Sequence, residues 1–171
     1  MAYGDSKTFD LDPRQQLNLQ MQPFIDVIYR TNFGKDIIIN RIERMGDWVL
    51  DRKFAIDTVI KLTTGMILTG QEKCLDTTFR TLTVEYMQNP IKDEPGDWFN
   101  LAAQFYFVGY TEPLRRGFVM WVVVDWVKLV ILTNNGLKWR ENYNQNGRAR
   151  ASFRYLQFRD IPKEAIIYKS W

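Results

Sequence analysis

Asp57, Gln71 and Lys73 have the residue types and spacing that suit metal-assisted cleavage of a phosphodiester bond. In such chemistry a carboxylate holds a hard cation, and the cation lowers the pKa of a bound water and neutralises charge on the phosphate. A nearby ammonium orients the water or stabilises the developing negative charge. The side-chain carbonyl of a glutamine also ligates a cation, although it brings no charge to hold it. The 171-residue chain contains no histidine. A Ser-His-Asp triad, a Cys-His pair and an HNH-type metal site are therefore excluded. With Cys74 as its one cysteine, it makes neither a disulfide framework nor a cysteine zinc cluster, and a reducing intracellular setting is expected. Metal chemistry must then use oxygen ligands, which suit Mg2+ or Mn2+.

The elements that would position the three residues form a β-hairpin. From Phe54 the apolar period is two: Phe54, Ile56, Thr58, Ile60 and Leu62 fall on one face, and Ala55, Asp57, Val59 and Lys61 on the other. Thr63-Thr64-Gly65 supplies a three-residue turn ending in the glycine that a bulged hairpin needs. A second strand follows from Met66 to about Cys74. With Leu62 opposite Met66, Asp57 faces Gln71. Lys73, two residues on, shares their face, and Glu72 points to the other side. The plainer reading of Asp57 is a hairpin acid paired across the ladder with Lys73.

With Asp57, then Gln71, Glu72 and Lys73 after a hairpin turn, the chain resembles the PD-(D/E)XK nuclease superfamily, in a variant carrying Q-x-K in place of (D/E)-x-K. The resemblance spans residues from about Phe24 to Val124. It implies an α/β, restriction-endonuclease-like single domain, with a mixed central β-sheet carrying the catalytic hairpin and flanked by helices. It also implies a metal-dependent nuclease, most readily a DNA endonuclease, with RNA left open and a homodimer expected. Asp57 would be the principal metal ligand, Gln71 a second ligand and Lys73 the residue that positions water and phosphate. Because Gln71 replaces a carboxylate, another acid must compensate. Glu43, on a helix expected before the first catalytic strand, is preferred as catalytic residue and metal ligand over Asp26 and Asp51. Glu85 on the third strand is a further acid able to face the same cleft. The neutral Gln71 also permits an alternative, a catalytically inactive module that binds nucleic acid or protein on the same fold.

Charge is unevenly placed, with eight Lys/Arg against three Asp/Glu from Gly136 to Trp171. Within that region Arg148, Arg150, Arg154 and Arg159 interleave with aromatics, as in a nucleic-acid groove. An amphipathic strand with solvated arginines produces the same pattern.

The remaining elements frame this site. Residues 1–20 read as a loose arm and 21–171 as one folded unit. Helices are expected around Phe24–Tyr29 and through Ile38, Ile42 and Met45. Strands are expected at Arg80–Met87, Phe105–Tyr110, Phe118–Val124 and Ser152–Phe158, with a short helix begun by Asp97 and another over Trp126–Leu132, stopped at Asn134-Asn135-Gly136. No signal peptide and no span long enough for a bilayer is legible, so an intracellular protein that does not engage membranes is expected, virus- or bacterium-encoded settings included. Gly-Asp-Trp at 46–48 and 96–98 lacks matching flanks and is not a repeat.

Overall fold

Leu17, Met21, Ile25 and Tyr29 recur every four residues, and this stripe is buried along helix α1, Pro13–Phe33. The computed structural model describes residues 13–42, 54–77, 79–89, 92–143 and 151–171. Residues 13–20 are therefore helical rather than a loose arm. Pro23 removes one backbone hydrogen bond from α1 at an exposed position. Burial of Leu17 and Met21 in the preceding turns outweighs that loss.

The helix expected through Ile38 and Ile42 is instead a strand, β1, Ile38–Arg41. Its β-branched residues fit a pleated ladder better than a helix, and they pair antiparallel with β2, Thr58–Lys61. Met45 of that expectation lies outside the described residues. β2 is shorter than the strand read from Phe54, and Ala55 just before it takes a left-handed φ of 46°. At the other end of β2, Gly65 closes the turn with φ 85°, and the Leu62 amide donates to the Met66 carbonyl at 2.8 Å. The partner strand β3, Ile67–Leu75, pairs Thr58 with Gly70, Val59 with Thr69 and Ile60 with Leu68. This is the register expected from the turn glycine as far as Thr58; there the Asp57 amide donates to the Gly70 carbonyl at 2.9 Å, so the ladder shifts by one residue before the expected pairing of Asp57 with Gln71.

β3 next pairs in parallel with β6, Phe105–Thr111, rather than with the third strand in sequence. Gly70 explains the docking. Its partner in the ladder is Phe105, and a Cβ on Gly70 would come 2.1 Å from the Phe105 ring. The bare glycine makes room for that ring. β7, Phe118–Asp125, and β10, Ile166–Lys169, complete a mixed six-stranded sheet in the order β1-β2-β3-β6-β7-β10. The third strand, β4, Thr81–Asn89, joins a separate sheet of order β5-β4-β9-β8, with β5 at Glu94–Pro95, β8 at Arg140–Tyr143 and β9 at Ser152–Gln157. Its alternating threonines suit a sheet with one wet face, whereas β6 is buried along its whole length.

The chain is thus mixed α/β, with a central mixed sheet flanked by few helices. One face of the six-stranded sheet packs Ile60, Cys74, Phe105, Phe107 and Val123 under α1. The other packs Tyr106, Val108, Tyr110, Val122 and Val124 against Leu82, Val84 and Leu156 of the second sheet, together with Trp126 and Leu129. Those last two belong to helix α3, Trp126–Asn134, which Asp125 caps by accepting the Lys128 amide at 2.9 Å and which is followed by Gly136 at φ 103°. Helix α2 is a single turn, Asp97–Asn100. Among the described residues no helix is long and apolar enough to cross a membrane.

Candidate functional site

The period of two along β3 sends its side chains to opposite environments. Glu72 and Cys74 are buried on the α1 side, while Gln71 and Lys73 face the second sheet. Asp57 stands at the entry to β2, anchored on both sides of Gln71. Its amide donates to the Gly70 carbonyl at 2.9 Å, and its carboxylate Oδ2 accepts the Glu72 amide at 2.9 Å. Gln71 Oε1 is buried and has no hydrogen-bond partner. Lys73 Nζ donates to the Thr83 carbonyl at 3.4 Å and lies 5.6 Å from the centre of the Phe153 ring.

Two tyrosines of β6 fix β4 beside this group. The Tyr106 hydroxyl donates to the Thr83 carbonyl at 2.9 Å, and the Tyr110 hydroxyl donates to the Thr81 carbonyl at 2.8 Å. Beside β3 and the second sheet lies a cleft of about 1010 Å³, with Gln71, Lys73, Thr83, Glu85, Asp97 and Tyr106 in its wall. Gly96 brings Asp97 close to Glu85, because a Cβ on Gly96 would come 2.7 Å from the Glu85 carbonyl oxygen. Burial pushes the Tyr106 hydroxyl well above its ordinary pKa, and the negative charges of Asp97, Asp57 and Glu85 add to the effect. Glu85 and Asp97 thus set negative charge beside the Lys73 ammonium in this cleft, whose wall also holds Arg115. Asp57 is not part of the cleft wall.

Beneath β3, on the α1 side, a second charged group ties the hairpin to the helix. Buried Arg41 donates from Nη1 to Glu72 Oε1 at 2.8 Å and to Thr58 Oγ1 at 2.5 Å, and its Nη2 pairs with Asp26. Asp26 is thus occupied on the face away from Gln71 and Lys73, which removes it as the supporting acid. Glu43, Asp51, Arg148 and Arg150 lie outside the described residues. Among the described residues no three of Cys, Asp and Glu converge as a metal-holding group. The Gln71 carbonyl oxygen is one further oxygen that a cation site among the described residues could draw on. That buried, unpartnered acceptor suits a hard cation.

Of the two described arginines expected at a nucleic-acid groove, Arg154 has another role. Its guanidinium lies 3.8 Å from the Tyr86 ring centre and 4.8 Å from that of Trp98, and its Nε donates to Glu141 at 2.9 Å. It fastens β9 to β4, β8 and α2, with its charge matched on the spot. Arg159 is exposed beside Asp160, at 3.7 Å, and is not in the cleft wall.

Glu85 does share the cleft with Gln71 and Lys73. Asp97, Tyr106 and Arg41 were missed. For Arg41 a signal existed in its period-two alternation with Ile39, which a strand would bury on one face. Asp97 carried none, since its place depends on how closely Gly96 approaches β4. No family model, curated protein or solved structure matches the chain.

Proposed function

We propose that the chain is a metal-dependent nuclease that hydrolyses phosphodiester bonds of DNA, an endonuclease in the first instance, on a restriction-endonuclease-like fold. The observation that carries this reading is an acid beside an orphaned oxygen. The Asp57 carboxylate accepts the amide of Glu72, the residue next to Gln71, and Gln71 Oε1 is a buried acceptor with no hydrogen-bond partner. An uncompensated buried carbonyl is costly unless something binds it, and a hard cation is a fitting occupant.

Asp57 and Gln71 would hold Mg2+ or Mn2+, with Glu43, Glu85 and Asp97 as the acids able to add charge. When bound, such a cation supplies a low-pKa water and neutralises phosphate charge. The chain's own contribution begins with Lys73. Its ammonium, set by the Thr83 carbonyl and the Phe153 ring, presents positive charge in a cleft that also holds Glu85 and Asp97. There it draws in a phosphate and orients it. Glu72 and Arg41 hold the strand from behind. The same reading carries a homodimer that cuts two strands, and a setting inside the cell, where a lone buried Cys74 stays reduced.

One observation favours the alternative, an inactive module that binds nucleic acid or protein. The Asp57 carboxylate already accepts the Glu72 amide. Calorimetric titration of Mn2+ into the wild-type protein, Asp57→Asn and Gln71→Leu separates the two. The nuclease reading expects saturable binding by wild type, lost in Asp57→Asn and weakened in Gln71→Leu. Binding of equal strength in all three, or none in wild type, would leave the inactive module.

A further inference from the structure

The cleft carries more aromatic surface than a phosphate site needs. Phe79, just before β4, is 75 % exposed, and Tyr143, at the end of β8, is 59 % exposed, yet both belong to its wall. Phe153 lies between them along the second sheet, opposite Glu85 on β4, with Lys73 over its ring. Phe79 and Tyr143 mark opposite ends of the cleft. Phe79 precedes the Thr81 end of β4, whereas Tyr143 pairs with Ser152, which in turn pairs with Met87 near the other end. Large apolar rings kept in water at both ends of a polar trough are poorly explained by packing, since neither belongs to a core cluster.

From this arrangement we infer that the cleft binds an unpaired nucleic-acid strand rather than an intact duplex. The inference rests on the nuclease reading and gives it a substrate class. Every base has a π-face that an exposed ring can stack on, but a duplex hides those faces within its own stack. A strand that crosses the second sheet from the Thr81 end of β4 to β8 brings bases to Phe79 and Tyr143, and the phosphates between them pass Lys73. The volume agrees: about 1010 Å³ is at the top of the range for small-ligand pockets, roughly 300–1,000 Å³, and suits a few nucleotides. Glu85 and Asp97 would repel those phosphates, so binding depends on a divalent cation.

Fluorescence anisotropy in Ca2+ with a labelled ten-nucleotide oligothymidine, and with the same strand in a duplex, tests the inference. Because both rings are exposed, Phe79→Ala and Tyr143→Ala are expected to fold normally, and melting curves check this. The expected result is single-strand binding at least about tenfold tighter than duplex binding. Each alanine variant should lose about tenfold in single-strand affinity with duplex affinity unchanged, and Tyr143→Phe should restore it. Lys73-dependent duplex binding as tight as single-strand binding, or alanine variants that bind the single strand like wild type, would overturn this inference and leave the nuclease reading standing. If neither form of DNA binds, both fall.

Discussion

Arg41 and Glu72 form a buried ion pair at 2.8 Å, directly behind the strand that carries Gln71 and Lys73 on its other face. Two charges out of water stabilise a fold only while each has its partner. Arg41→Ala should therefore cost roughly 3–5 kcal/mol, because Glu72 would remain buried and uncompensated. Replacing both, as Arg41→Met with Glu72→Met, should cost far less than the single change. Urea denaturation of the three variants measures this. A double variant less stable than Arg41→Ala would contradict it.

Alkaline stability follows from Tyr106. Its hydroxyl is held above the ordinary tyrosine value by burial first, then by the charges of Asp97, Asp57 and Glu85. Between the unfolded value, about 10, and the raised native value, the native state keeps a proton that the unfolded chain releases. This contribution is therefore whole below pH of about 10 and is lost as pH rises above it. Tyr29, raised chiefly by burial, acts in the same direction. Tyr106→Phe should be less stable by about 1 kcal/mol at neutral pH, through loss of its bond to the Thr83 carbonyl, and should decline less steeply above pH 10. Chemical denaturation from pH 7 to 11 checks both parts, and equal slopes for the two proteins would refute the assignment.

Arg154 separates a structural cation from a phosphate contact. Stacked on Tyr86 and Trp98 and paired with Glu141, it should cost about 1–2 kcal/mol of stability when changed to alanine. A residue that contacts phosphate would instead flatten the salt dependence of DNA binding by roughly one unit of slope. The expectation for Arg154→Ala is a lower Tm with an unchanged salt slope. Unchanged stability with a flattened slope would return Arg154 to the nucleic-acid interface.

The hairpin was legible because its determinants are local. Gly65 sets the turn, the turn sets the register as far as Thr58 and Gly70, and the period of two turns Glu72 away from Lys73; the shift at Asp57, whose amide bonds the Gly70 carbonyl, was not legible. The buried strand through Val122, Val123 and Val124 was equally plain from its unbroken apolar run. What misled were segments decided by distant partners. Ile38–Arg41 has helical spacing to Ile42 and Met45 but gains more by pairing with β2. The polar start of α1 hides a stripe that makes sense only under Phe105 and Phe107. β4 joins the second sheet because Gly70 admits the Phe105 ring and gives that edge of β3 to β6. At the site, Glu85 was foreseen through strand alternation. The stacking of Arg154 on Tyr86 and Trp98 was not legible, because cations interleaved with aromatics look alike whether they stack on protein rings or on bases.

Cleavage of DNA tests the central claim most directly. Supercoiled plasmid, single-stranded and branched substrates, each with Mg2+ and with Mn2+, should be compared for wild type, Asp57→Ala and Lys73→Ala. Wild type is expected to cut at least one substrate in a metal-dependent manner, with the rate falling at least about a hundredfold in each variant while both stay folded. Cleavage at the same rate by all three proteins, or by none with either metal, would contradict the account.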